Sequence, residues 1–166
     1  MKNVPLFVTL AAIGGLVIAM VHLGRLEARV NELAAKGGTA PVAEPEVAVH
    51  MARIQVYMDK LYWAGMAGNR ELADFYRHEI KEVMEVVAGA GIVEDGIDVS
   101  ANMRTIGIQA IDAMKMHLKE KGLDGFRDQY GALVVACNGC HAASAHAMIR
   151  VQEPTENRFT GQAFTP

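Results

Sequence analysis

Between residues 46 and 149 the apolar side chains return every three or four positions in four successive stretches, a period that calls for helices packed on helices. In the first stretch Val47, Met51, Ile54, Met58, Leu61 and Gly65 alternate spacings of four and three, with Arg53, Asp59 and Lys60 between them. This predicts a helix over about 46–67. Gly68 and Asn69 interrupt it, and Asn69 can cap a second helix that carries Leu72, Tyr76, Ile80, Val83 and Val87 and ends near Gly89. After the loop GAGIVEDGIDV, Ser100 is the expected cap of a third helix, marked by Met103, Ile106, Ala110 and Met114 and stopped by Gly122. A fourth runs from about Asp124 to Ile149, and Pro154 excludes a long continuation. Four helices of roughly 20 residues joined by short loops fold most economically as an antiparallel up-down-up-down bundle. The expected class is all-α. Nothing in the pattern suggests a sheet, and a composition about half apolar, rich in alanine and methionine and poor in aromatics agrees.

Upstream, Val4 to Leu23 is a run of twenty residues without a formal charge. As a helix it spans ~30 Å, the thickness of the hydrocarbon layer of a bilayer. A secretory signal peptide is the rival, but its apolar region usually covers only ~7–15 residues and ends at a small-residue cleavage box, which the following GRLEARVNELAAK lacks. The expectation is a single uncleaved transmembrane helix meeting the membrane through residues 4–23. Lys2 on one side and Arg25 and Arg29 on the other leave its orientation open. Leu23, Leu26, Val30 and Leu33 then form a short apolar seam, read as a solvated stalk helix with a homodimer as the alternative. Gly37 to Pro45 is a flexible linker. The expected organisation is therefore an anchor over 1–24, stalk and linker over 25–45, a helical domain over 46–150 and a polar tail over 151–166 carrying Phe159 and Phe164 as aromatic anchors.

With 16 basic and 19 acidic side chains, the net charge of −3 and the absence of a clustered basic face argue against a nucleic-acid partner. Chemistry concentrates instead in Ala136-Cys137-Asn138-Gly139-Cys140-His141-Ala142, which holds both cysteines of the chain. Three chemistries use a C-x-x-C pair: a dithiol redox switch, half of a zinc site, and thioether attachment of haem, and only the last requires a histidine at the next position. A thioredoxin-type dithiol goes with a βαβ pattern, absent here, and leaves His141 unexplained. Structural zinc needs four ligands, and His146, the nearest further candidate, falls at a helical spacing that turns it away from the others. On a helix Cys137, Cys140 and His141 share one face with Leu133 and Val134 one turn earlier, a surface suited to a flat apolar cofactor. Two thioether bonds would hold the haem edge while the His141 imidazole reaches the metal.

A four-helix bundle with its single C-x-x-C-H on the last helix resembles the class II c-type cytochromes, the cytochrome c-prime fold, over about 46–150. The resemblance implies one covalent haem c, with Cys137 and Cys140 as thioether anchors, His141 as proximal iron ligand and the distal side facing the first helix. It also implies the outer face of the bacterial inner membrane, with the haem domain in the periplasm. Two features depart from the family pattern. No basic residue follows within one turn of His141, where Ala142, Ala143, Ser144 and Ala145 stand, and the chain continues well beyond the motif.

The sixth ligand decides what such a haem does: methionine or a second histidine makes an electron carrier, whereas an empty position admits small gases. Met58, central on the first seam, is the first candidate and Met51 the second, with plain core packing as the alternative for each. His50, His78 and His117 lie on other helices than His141, while His146 is expected on its own helix. Tyr62 and Trp63 are pocket-lining candidates. The expected function is that of a membrane-anchored monohaem cytochrome, not an enzyme, passing electrons to or from a membrane redox complex or another electron-transfer protein. The alternatives are a five-coordinate haem protein binding nitric oxide or carbon monoxide, and an accessory haem subunit of a respiratory or photosynthetic complex.

Overall fold

The computed structural model describes residues 20–32 and 46–166, and the chain divides into two compact units, 1–43 and 44–166. In the first unit residues 20–32 are helical, with Met20, Val21, Leu23, Leu26 and Val30 exposed. The expected membrane span lies outside the described residues except for its last turn, 20–23. Among the described residues, no helix is long and apolar enough to cross a membrane.

The second unit is mostly helical. Helix α1 is Val47–Met66 and α2 is Arg70–Gly89. Asn69 caps α2 as its sequence position suggests, its Oδ1 accepting from the Leu72 N–H at 3.0 Å. A short helix α3, Val99–Asn102, runs through a π-helical turn, Met103–Gly107, into α4, Ile108–Lys121, which stops at Gly122 with φ +64°. Helix α5 is Phe126–Ala143. α1 packs on α2, α2 on α4 and α4 on α5, and α5 returns to α1, so these helices enclose one core. Ile54, Leu61, Ile80, Val87, Ile111, Met114, Leu118, Tyr130 and Leu133 fill it.

Three local features differ from the sequence reading. The loop after α2 contains a two-stranded antiparallel hairpin, β1 Val93–Glu94 and β2 Ile97–Asp98, where no sheet was expected. Its turn is Asp95-Gly96, both at positive φ (49° and 81°), the backbone that makes a two-residue turn match the strand twist. The cap of α3 is Asp98, whose carboxylate accepts from Ala101 N–H at 2.7 Å, and not Ser100. Ser100 is fully buried, its hydroxyl donating to Val87 O at 2.6 Å and accepting from Ile92 N–H at 2.9 Å, so it ties the end of α2 to the hairpin. The π-turn adds a residue to its turn and moves the apolar stripe by one: Met103, Gly107, Ile111, Met114 and Leu118 face inward, while Ile106 and Ala110 are half-buried.

Helix α5 ends six residues before the expected Ile149. The Ser144 N–H donates to Cys140 O at 3.0 Å, Asn102 Nδ2 donates to Ala143 O at 3.2 Å, and Ala145 takes a left-handed φ of 60° that turns the chain back. Beyond the turn the chain runs over the helices. Phe164 is buried, Phe159 is half-buried against the core and stacks under Lys60, and Gln162 Nε2 donates to the Tyr76 hydroxyl at 2.5 Å.

Candidate cofactor site

The motif occupies the last two turns of α5, and that placement sets its geometry. Spacings of three and four on a helix bring side chains to one face, and Cys137, Cys140 and His141 all line a single cavity of about 490 Å³. Its walls are largely apolar. Val47, Met51, Ile54 and Met58 come from α1, Met84 from α2, and Met103 and Gly107 from the π-turn. The volume falls within the range of about 300–1,000 Å³ usual for cofactor and small-molecule sites. Four of the chain's methionines thus meet at one place, where thioethers can pack and can also serve as soft metal ligands.

Both cysteines are free. Burial, reinforced by the neighbouring Cys140 sulfur, pushes the Cys137 thiol up to about 11. Burial raises Cys140 as well, partly offset by a hydrogen bond with Ser144. A dithiol that attacks disulfides needs a depressed thiol pKa, so these two have the wrong electrostatics for that role. Among the described residues no three His, Cys, Asp or Glu side chains converge as ligands for a metal ion, which leaves the zinc reading without geometric support.

His141 is held by a fixed partner. Its Nδ1 lies 2.9 Å from Ile149 O, and because a carbonyl can only accept, Nδ1 carries a proton, which in the neutral imidazole leaves the lone pair on Nε2. An imidazole in this tautomer, fastened through its second nitrogen, is the arrangement that metal-ligating histidines use. The chain that supplies Ile149 is itself anchored on the motif. The Asn138 amide donates to Val151 O at 3.0 Å and accepts from Val151 N–H at 2.8 Å. One of the two residues between the cysteines therefore clamps residues 144–151 against α5 as a strap, and the other, Gly139, faces open space.

The expected site residues divide into two groups. Cys137, Cys140, His141, Met51 and Met58 come together around the cavity. Tyr62, Leu133 and Val134 are buried in the core but are not among its lining residues; Tyr62 packs edge-on to Trp63, with ring centroids 5.2 Å apart, and against Tyr130 at 5.0 Å. Of the other histidines, His50, His78 and His117 are absent from the cavity wall, and His78 pairs with Glu82 at 3.3 Å. His146 is on the wall, contrary to its expected place further along α5, because the turn at Ala145 takes it off the helix. Its Nδ1–H donates to Ser144 O at 2.6 Å.

Met84, Met103, Gly107, Glu94, Arg150 and Val151 also line the wall and were missed by the sequence reading. Met103 carried a signal, since it opens the third apolar stripe. Glu94 and Arg150 carried none, because both reach the wall through turns. No family model, curated protein or solved structure matches this chain.

Proposed function

We propose that the chain is a monohaem c-type cytochrome that carries single electrons. What supports this most directly is that both thiols and a tautomer-fixed imidazole share the wall of one apolar cavity of suitable size. Cys137 and Cys140 would each add S–H across a vinyl group of the porphyrin, sulfur to one carbon and hydrogen to its neighbour, so no oxidant is needed. His141 Nε2 would hold the iron from one side. Met58, buried at 2 % exposure on the facing helix, is the candidate sixth ligand, and Met51, Met84 and Met103 exclude water around it. Bound haem supplies reversible one-electron chemistry. Apolar walls and a thioether ligand would favour the reduced iron and raise the potential.

In the same reading the four long helices form an antiparallel up-down-up-down bundle like that of the class II c-type cytochromes, preceded by a membrane helix over residues 4–23. The haem domain would then stand in the periplasm, held near a membrane redox complex or another electron-transfer protein. The deciding experiment exports the full chain from a host able to mature c-type cytochromes, then measures its mass and its ferric and ferrous optical spectra with and without carbon monoxide. A mass increase of one haem with a low-spin ferrous spectrum unaffected by carbon monoxide is expected. A bare polypeptide mass would overturn the reading, and rapid carbon monoxide binding by a high-spin ferrous form would transfer it to the gas-binding class.

A further inference from the structure

The cavity wall is largely apolar, and its only formal charges other than histidine are Glu94 and Arg150. Among residues 46–166, Arg53, Arg77, Arg104, Arg127 and Arg158 each bond a side chain or a carbonyl of the chain. Arg70 and Arg150 do not, and Arg150 has no hydrogen bond or ion pair among the described residues. Its backbone is nevertheless fixed. Ile149 is bonded to His141 and Val151 to Asn138, so the residue between them stands at a set place beside the motif.

We infer that Arg150 receives the carboxylate edge of the bound porphyrin. This rests on the haem reading above and adds the group's orientation. Haem carries two propionate carboxylates, which methionine and valine walls cannot solvate. A guanidinium presents a planar fork that matches a carboxylate, and Arg150 is the one such fork on the wall that no carboxylate of the described chain occupies. The strap thus returns to the site the cation that the run Ala142 to Ala145 omits.

The test uses the mature full-length protein, with haem content verified by mass. Resonance Raman spectra report the propionate bending band, which responds to hydrogen bonding at the carboxylate. Arg150→Gln should move that band to the position of an unbonded propionate and lower the midpoint potential. Arg150→Lys should move the band part of the way. Arg70→Gln removes the same charge from a residue off the wall and should leave it in place. An unmoved band in haem-loaded Arg150→Gln, or an equal shift in Arg70→Gln, would overturn this inference while leaving the haem assignment standing; a bare polypeptide mass in the unsubstituted protein would overturn both. If Arg150→Gln does not mature, the lysine variant alone decides, since an unmoved band there contradicts guanidinium recognition.

Discussion

His141 and Ile149 are joined across the turn at Ala145 by one hydrogen bond, imidazole Nδ1–H to backbone carbonyl at 2.9 Å, and the neighbouring Asn138–Val151 pair holds that carbonyl in place. Asn138→Ala removes both bonds of the clamp and leaves the Val151 backbone partly buried without them. It should destabilise the folded chain by about 1–3 kcal/mol, read from urea denaturation. If the proposed haem is held by His141, its iron EPR lines should also broaden, because the imidazole loses its fixed acceptor. Unchanged stability and unchanged lines would show that the strap does not depend on Asn138.

Met58 tests the sixth position of the proposed haem. If its sulfur binds iron, Met58→Ala converts a low-spin ferrous spectrum into one that binds carbon monoxide rapidly. If it only packs, the spectrum stays as it was. Either way the truncation of a buried methionine should cost about 2–5 kcal/mol of stability, so spectra must be recorded on protein shown to be folded.

Two glycines give opposite predictions. A Cβ at Gly65 would lie 2.2 Å from ring atoms of Phe126, a rigid neighbour that cannot retreat without moving the core, so Gly65→Ala should destabilise by about 1–3 kcal/mol or more. A Cβ at Gly139, inside α5 and between the two cysteines, would meet nothing within 4 Å. Gly139→Ala should stabilise by about 0.4–1 kcal/mol, and the proposed haem attachment should survive it. A thermal melt of each variant separates these outcomes; loss of stability in Gly139→Ala would contradict the open space.

The cofactor-free chain should lose stability in alkali. Folding raises the Cys137 thiol from the ordinary value of about 8.5 to about 11. Between those values the unfolded chain has released a proton that the native chain still holds, so stability falls as pH rises through the window and is fully present below it. Tyr130, shifted up by burial, adds a loss of the same sign at higher pH. Urea midpoints near pH 7.5 and pH 10 should show the decline, and Cys137→Ala should lessen it. A flat profile would mean that the thiol is far less buried than the structure indicates.

The helices were readable because each buries one stripe, and a stripe leaves a period. Ile54, Met58, Leu61 and Gly65 are buried as their spacing requires, and Asn69 caps where it should. The π-turn was not readable in this way, since one extra residue in one turn shifts the stripe without breaking its rhythm, and Met103 to Met114 fits both registers. The hairpin escaped because two paired residues per strand cannot show alternation, although Asp95-Gly96 was a turn signal present in the sequence. The cysteines and His141 were legible as a motif, whereas the strap was not. Its course is set by an alanine at positive φ and by side chain to backbone bonds, neither of which leaves a hydrophobic pattern.

The pocket that receives the motif draws most of its wall from the two extremes of the helical unit, Val47 to Met58 at one end and Cys137 to Val151 at the other, with Met84, Glu94, Val99, Met103 and Gly107 between them. Contacts between residues so distant along the chain carry a larger loop-closure cost than contacts within a helix, so this pocket is expected to close after the single helices form. Under the proposed haem reading, the two thiols would be open to an attaching enzyme before that closure and less so after the ends meet. In that reading the order of folding would set the interval in which the haem can be attached.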